Sequence, residues 1–180
     1  MTFWPLFQRN PRPTKNPPTF TRDPVRSQFD IFLALITVTT IVFLDRFLKI
    51  YFSHLLSLSE SWPVIRGIFH ITLVHNTGIA FGLFKNQGIV FIIIPLIAII
   101  LLIFNIYYYR NNQEELSRMY IVAFSLILGG AIGNLIDRIY FGYVIDFLDF
   151  RIWPVFNLAD SAITIGATII LLKCIPYSAK

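Results

Sequence analysis

The strongest constraint in this sequence is a set of four apolar segments, each about as long as a membrane-spanning helix. The segment from Ile89 to Tyr109 contains no charged residue, and the others cover about 31–52, 119–136 and 155–175. A helix needs about 20 apolar residues to cross a hydrocarbon core about 30 Å thick. We therefore predict an all-α membrane protein built as a bundle of four transmembrane helices.

The composition agrees with a membrane protein and argues against a nucleic-acid-binding domain. Hydrophobic residues make up 56% of the chain and charged residues 14%, whereas typical soluble proteins contain about 25% charged residues. The net charge is +5, but the basic residues have no polar, aromatic-rich surface on which to bind nucleic acid. We interpret them as determinants of membrane orientation. Because Cys174 has no other cysteine or clustered histidine beside it, we expect no disulfide, metal ion or cofactor.

The chain divides into a tail and a membrane domain. Residues 1–28 are basic and contain six of the ten prolines, so we predict a disordered cytoplasmic tail. Residues 29–176 form the predicted four-helix domain, with both termini cytoplasmic because lysine and arginine favour the inner side. In the first outer loop, 53–87, apolar and polar residues alternate over 69–74, which predicts a small β-sheet.

Polar residues near the apolar segments all fall at the same side of the predicted membrane. Asp45 and Lys49 lie four residues apart on one helix face and can form an ion pair. Asp160 is predicted to lie about five residues into the fourth helix, roughly 7 Å deep. The full set comprises Asn76 in the outer sheet, Asp45 and Lys49, Asn134, Asp137 and Arg138, Asp146 in the short loop before the fourth helix, and Asn157 and Asp160.

This convergence predicts a functional site at the outer ends of the helices. A charged side chain within lipid costs at least about 2.5–3.5 kcal/mol, so these residues should face the interior of the bundle. Gly129, Gly130 and Gly133 narrow one face of the third helix. They could serve helix packing or leave room for a substrate helix.

Paired carboxylates in a pocket of low dielectric constant can share a proton and activate a water molecule for amide hydrolysis. Most acidic residues on the outer side have another explanation. Asp45 has Lys49 as a partner, and Asp137 has Arg138 or Lys49. We interpret Asp149 as a solvated loop residue, and Glu60 lies in a polar loop. The three histidines lack a partner nucleophile. By elimination, Asp146 and Asp160 are the candidate catalytic pair.

The motifs that carry these residues resemble the lipoprotein signal peptidases, or signal peptidase II family. They are "DRFLK" from Asp45, "NTGIAFGLF" from Asn76, "GGAIGNLIDRI" from Gly129, "VIDFLDF" from Val144 and "FNLADSAI" from Phe156. They occur in the order found in that family and extend over about residues 30–176.

The resemblance implies a bacterial inner-membrane aspartyl endopeptidase with its active site at the outer face. Its substrates would be diacylglyceryl-modified prolipoproteins, cut just before the lipidated cysteine. It implies contact with membrane lipid, inhibition by globomycin-type peptides and a monomeric enzyme. The catalytic residues would be Asp146 and Asp160, and the substrate-binding or supporting residues would be Asn76, Asn134, Arg138, Asn157, Asp45, Lys49, Asp137 and Gly130.

Two features depart from the family pattern. The tail of about 28 residues lies outside the family core, and the segment between Asp146 and Asp160 is shorter than expected. The same polar residues offer two alternative functions. A proton-coupled transporter would use Asp45, Asp137 and Asp160 as a relay, but the inner halves of the helices are apolar. A non-enzymatic scaffold would leave unexplained why Asp146 and Asp160 lack nearby cations.

Overall fold

The computed structural model describes residues 24–78 and 118–174, together with positions 93, 96, 97, 99, 100, 103 and 104. The named helices in these parts are α1 (Pro24–Leu55), α2 (Arg118–Phe141) and α3 (Leu158–Cys174). The strands are β1 (Ser61–Ile65), β2 (Phe69–Asn76) and β3 (Val144–Asp149). The protein is therefore mostly helical with one small sheet, as the sequence predicts.

Two of these helices have the length and apolarity needed to cross a bilayer, namely Gln28–Leu55 and Arg118–Phe141. The third, α3, has 17 residues and is about 26 Å long. The predicted second span, 89–109, lies mostly outside the described residues, although the positions described within it are helical. Residues 1–23 of the predicted tail and 79–87 of the outer region also lie outside them.

The first helix begins earlier than the sequence suggests. Its first residue is Pro24, within the segment that was assigned to the tail. Proline suits the first position of a helix because its missing N–H would have no partner there and its φ is already helical.

The sheet draws on two parts of the chain, which corrects the prediction that it lies in the first outer loop alone. Its three antiparallel strands have the order β1-β2-β3, and β3 lies between α2 and α3. Asp146 is thus in a strand rather than in a loop. The segment "VIDFLD" is buried along nearly its whole length, and its β-branched and aromatic residues suit a strand covered on both faces.

A second pairing connects the sheet to α3. Phe156 accepts hydrogen bonds through its carbonyl oxygen from the N–H groups of Phe147 (3.0 Å) and Leu148 (2.7 Å). The N–H of Phe156 donates to the Leu148 carbonyl at 3.0 Å. This bridge brings the residues just before α3 against β3, so that Asn157 lies next to Asp146.

Glycines allow α2 to approach both other helices closely. A Cβ on Gly130 would lie 2.3 Å from the Ala159 carbonyl oxygen of α3. A Cβ on Gly133 would lie 2.7 Å from Asp45 Oδ2 of α1. Since neither distance is compatible with a side chain, these positions need glycine for the three helices to meet at the level of the polar residues.

We predict that Gly130→Ala destabilises the protein by about 1–3 kcal/mol, because the new methyl group must displace the backbone of α3. Thermal unfolding in detergent measures this change. Gly129→Ala is the matched control, because the nearest atoms to its Cβ would be Ile41 Cβ at 3.0 Å and the Val38 carbonyl oxygen at 3.3 Å, so a smaller displacement relieves the contact than at Gly130. Equal losses in the two variants would contradict the packing argument.

Candidate active site

Asn157 connects Asp146 and Asp160. It immediately precedes α3, and its side-chain Oδ1 accepts a hydrogen bond from the Asp160 backbone N–H at 2.9 Å. In return, Asp160 Oδ2 accepts from the Asn157 N–H at 3.4 Å, which is the reciprocal geometry of a helix capping box. Asn157 Nδ2 donates to Asp146 Oδ1 at 2.7 Å. One asparagine therefore binds both members of what we call the aspartate pair.

Because Asn157 caps α3, Asp160 lies nearer the start of that helix than the sequence predicts. It is the third residue of α3, which begins at Leu158, so the prediction that it lies about five residues into the helix is wrong. The chain before it bends back to pair with β3, which delays the start of the helix. Asp160 consequently lies in the first turn, where the positive end of the helix dipole favours a carboxylate.

Two further asparagines complete the contacts of the aspartate pair. Asn76 Nδ2 donates to Asp146 Oδ2 at 2.9 Å, and Asn134 Nδ2 donates to Asp160 Oδ1 at 2.7 Å. The Asn76 amide is oriented by the Gly78 N–H, which donates to its Oδ1 at 3.0 Å. These contacts fix each carboxylate between donors from different elements of the fold.

Behind the asparagines lies a buried cation, Lys49. Its Nζ contacts Asp45 Oδ2 at 2.7 Å, Asp137 Oδ2 at 2.8 Å and Asn134 Oδ1 at 3.1 Å. The predicted Asp45–Lys49 ion pair is confirmed, as is the pairing of Asp137 with Lys49. Because Lys49 donates to Asn134 Oδ1, the other end of that amide, Nδ2, must face Asp160.

Asp45 and Asp137 also anchor the backbone beside the aspartate pair. Asp45 Oδ1 accepts from the Ala159 N–H at 2.9 Å, one residue before Asp160. Asp137 Oδ2 accepts from the Ile145 N–H at 3.1 Å, one residue before Asp146. Each supporting aspartate therefore fixes the chain position of one member of the pair.

The two carboxyl groups of the pair have unlike surroundings. Asp146 is 1% exposed, whereas Asp160 is half-buried and lines a cavity. Burial, with a further contribution from the charge of Asp160, raises the pKa of Asp146 to about 7. Hydrogen bonds from Asn76 and Asn157 oppose this rise but do not cancel it. The surroundings of Asp146 therefore favour its protonated form up to about neutral pH.

The active-site cavity, as we call it, has a volume of about 280 Å³. Its polar side contains Asp160 and three other residues nominated from the sequence, Asn76, Asn134 and Arg138. The remaining described lining consists of Gly78, Val144, Trp153, Pro154, Val155, Phe156, Ile163 and Thr164. A cavity lined by both carboxylate or amide groups and apolar side chains suits a peptide, which presents a polar backbone and apolar side chains.

Arg138 places a positive charge beside both members of the pair, so the expectation that Asp146 and Asp160 lack nearby cations is wrong. Its side chain is half-buried and interacts electrostatically with Asp160 and Asp146. Its Nη1 lies 3.5 Å from the carbonyl oxygen of Asn134, one helical turn earlier. Within the described residues, no group of three His, Cys, Asp or Glu side chains is placed to hold a metal ion.

The structure corrects one prediction from the sequence and adds one partner that was not predicted. Asp149 is buried in β3 and accepts hydrogen bonds from Thr72 Oγ1 (2.7 Å) and the Arg151 N–H (2.8 Å), so it is not a solvated loop residue. The alternation of "VIDFLD" could have placed it on the strand face opposite Asp146. Asp137 also pairs with Arg46, a partner for which the sequence carries no clear signal, because the two residues come from different helices.

Comparison with known proteins identifies the family of this chain. The family model described as signal peptidase (SPase) II matches residues 37–176. The lipoprotein signal peptidase of Halothermothrix orenii is 46% identical over 140 residues, covering 78% of this chain and 93% of that protein. That of Moorella thermoacetica is 54% identical over 113 residues, covering 62% of this chain and 72% of that protein.

Solved structures give the same result. A structure described as a bacterial membrane enzyme superimposes with a TM-score of 0.71 at 32% identity, covering 82% of this chain and 92% of that one. A second structure with the same description has a TM-score of 0.69 at 30% identity, covering 81% and 94% of the two chains. The family match over most of the sequence and the shared fold lead to one conclusion: the chain belongs to the signal peptidase II family of bacterial membrane peptidases.

Proposed function

We propose that this enzyme is an aspartyl endopeptidase that removes signal peptides from diacylglyceryl-modified prolipoproteins, cutting just before the lipidated cysteine. The observation that carries the proposal is the aspartate pair itself. One carboxyl group, Asp160, lines the cavity, and the other, Asp146, is buried behind it with a raised pKa. The substrate class is supported by the relatives, which are named lipoprotein signal peptidases.

Because the two carboxyl groups have different surroundings, we assign them different roles in proton transfer. Asp160 accepts a proton from a water molecule as the water oxygen attacks the scissile carbonyl carbon. Asp146 donates its proton to the carbonyl oxygen, so the tetrahedral intermediate carries no net charge. When the C–N bond breaks, the leaving nitrogen takes a proton from Asp160, and the carboxyl product returns one to Asp146. The pair then regains its starting protonation.

The neighbouring polar residues would support this chemistry. Arg138 lies where its charge can stabilise negative charge that develops in the transition state. Asn76 and Asn134 line the cavity and can also bind the substrate backbone. Asn157 is completely buried, so its role is to hold both carboxylates in place. Positioning of this kind lowers the activation barrier because the reacting groups need not reorganise.

We also propose how the enzyme is oriented in the membrane. Four helices cross the bacterial inner membrane, both termini and the tail of residues 1–28 are cytoplasmic, and the active site lies at the outer face. The enzyme acts as a monomer in contact with membrane lipid, and globomycin-type peptides inhibit it. The support is that the polar side chains of α1, α2 and α3 meet at one end of two apolar helices.

The structure offers little support for the alternative of a proton-coupled transporter. That function required Asp45, Asp137 and Asp160 to pass protons between them. Asp45 and Asp137 instead bind Lys49, and each also accepts a backbone N–H. Their oxygens are therefore committed to structural contacts rather than to a relay.

We predict that Asp146→Asn and Asp160→Asn each reduce kcat by at least about a hundredfold, because each removes one proton-transfer group. Cleavage of a diacylglyceryl-modified prolipoprotein by the purified enzyme in detergent measures the loss. Asp149→Asn is the matched control, since it makes the same change on the same strand but on the face opposite Asp146. Substantial turnover in either pair variant would refute the assignment of the aspartate pair.

The raised pKa of Asp146 also predicts a dependence of stability on pH. Between its ordinary pKa of 3.8 and the folded value of about 7, the folded protein retains a proton that the unfolded chain loses. Ionisation of this group therefore lowers the free energy of unfolding as the pH rises through that interval, and the loss is complete above pH 7.

Asp146→Asn has no group that titrates there, so its stability relative to the wild type should improve from about pH 4 to about pH 7 and then remain constant. Denaturant unfolding at a series of pH values measures the difference. A difference that does not change with pH would show that Asp146 has no raised pKa.

A further inference from the structure

We propose that Arg46 is a positioning residue for the aspartate pair, acting through Asp137 and Lys49 on the side chain of Asn134. This inference rests on the proposed peptidase function, because its effect is on catalysis by Asp146 and Asp160. Arg46 lies outside the described lining of the active-site cavity, so it would influence catalysis without contacting the substrate.

Arg46 is bound firmly to Asp137. Its Nη1 donates to Asp137 Oδ1, and its guanidinium carbon lies 5.1 Å from the centre of the Phe141 ring. The Arg46 side chain is 25% exposed, whereas Asp137 is completely buried. The cation–π contact and the ion pair together fix the guanidinium between α1 and the end of α2.

The two oxygens of Asp137 have separate donors. Oδ1 binds Arg46, while Oδ2 binds Lys49 Nζ at 2.8 Å and the Ile145 N–H at 3.1 Å. Without Arg46, the buried Oδ1 would lose the donor it has in this structure. A buried carboxylate oxygen without a donor strongly attracts any mobile donor nearby, and the closest candidate is the ammonium group of Lys49.

Lys49 cannot serve an additional acceptor without giving one up. An ammonium group has three protons, and Lys49 Nζ already lies 2.7 Å from Asp45 Oδ2, 2.8 Å from Asp137 Oδ2 and 3.1 Å from Asn134 Oδ1. The bond to neutral Asn134 is the longest, at 3.1 Å, and is the first that Lys49 would release for a charged oxygen. Asn134 Oδ1 would then keep only one of its two donors, Asn157 Nδ2 at 3.0 Å, and the amide that faces Asp160 would be held less firmly.

Arg46 also balances the charge behind the pair. The buried charge cluster, as we call Asp45, Arg46, Lys49 and Asp137, contains two acidic and two basic groups. Removing Arg46 would leave one negative charge in excess. The charged groups that face the aspartate pair are Lys49 of α1 and Arg138 of α2, with Asp45 and Asp137 behind Lys49. An excess negative charge there disfavours ionisation of the pair.

Arg46 acts at a distance from the substrate. Arg46 is not one of the described residues that line the active-site cavity. It lines a different cavity of about 410 Å³, whose walls include His75, Tyr143 and Ile145. In β2 and β3, His75 and Ile145 alternate with Asn76 and Asp146, so this second cavity lies on the opposite face of the strands. Any effect of Arg46 on catalysis must therefore pass through the buried charge cluster.

The test compares Arg46→Gln, Arg46→Lys, Asp137→Asn and the double variant Arg46→Gln/Asp137→Asn in the full-length enzyme. The measurements are kcat, KM and their pH profiles for a diacylglyceryl-modified prolipoprotein, with thermal unfolding in parallel. For Arg46→Gln we expect kcat to fall about tenfold with little change in KM, and both limbs of the pH profile to move to higher pH. Arg66→Gln, an exposed site in the turn between β1 and β2, is the matched control and should retain wild-type kinetics.

The other variants distinguish an effect of the lost charge from an effect of impaired folding. Arg46→Lys retains the positive charge and should leave the pH profile in place. The double variant removes one positive and one negative charge, so its pH profile should return to that of the wild type. Its kcat should fall by no more than that of Asp137→Asn alone, because Arg46 acts through Asp137.

Each outcome decides the question. Wild-type kinetics and pH profile in Arg46→Gln would overturn the inference, as would a loss of kcat that only follows a loss of folded protein. If Arg46→Gln does not fold, a pH profile displaced from that of the wild type in Arg46→Lys or in the double variant overturns it instead. A wild-type enzyme that does not cleave the prolipoprotein would refute the proposed function rather than the role of Arg46.

Discussion

The structure depends on one buried cation, the ammonium group of Lys49. A charge removed from water must be surrounded by opposite charge and hydrogen-bond acceptors, or the fold loses several kcal/mol. Lys49 obtains these from Asp45 on its own helix and from Asp137 and Asn134 on α2. This requirement brings the polar ends of two apolar helices together. The carboxylates it gathers then bind Ala159 and Ile145, the residues that precede Asp160 and Asp146.

The position of the pair produces the difference between its two members. Asp146 lies in a strand that is covered on both faces, whereas Asp160 lies in the first turn of a helix beside a cavity. The same asparagine, Asn157, binds both, so they are held together although their solvent exposure differs. One carboxyl group that retains its proton beside another that faces water is the arrangement that acid–base hydrolysis of an amide requires.

Much of this site could be predicted from the sequence because the cost of placing polar groups in lipid is large. The residues nominated on that basis, from Asp45 to Asp160, do meet at one end of the helices. The i, i+4 spacing of Asp45 and Lys49 also predicted their ion pair correctly. Gly130 stood out as a small residue on α2, and the structure shows that it faces the Ala159 carbonyl.

What the sequence did not predict depends on contacts between distant segments. The short segment after α2 reads as a loop, but it becomes β3 because β2 offers it a pairing edge and Phe156 pairs with its other side. That pairing shifts the start of α3 to Leu158 and makes Asn157 a cap. Arg46 was missed for a similar reason, because its partner Asp137 lies on another helix. Local periodicity contains no information about such partners.

The chemistry of the aspartate pair depends on burial of Asp146, which favours its protonated form up to about neutral pH. A carbon-13 NMR titration of the aspartate carboxyl groups in detergent tests this most directly. We expect one carboxyl signal that titrates near pH 7. It should disappear in Asp146→Asn and move to lower pH in Asp160→Asn, where the neighbouring charge is gone. A titration with no carboxyl group near pH 7, or one that persists in Asp146→Asn, would contradict it.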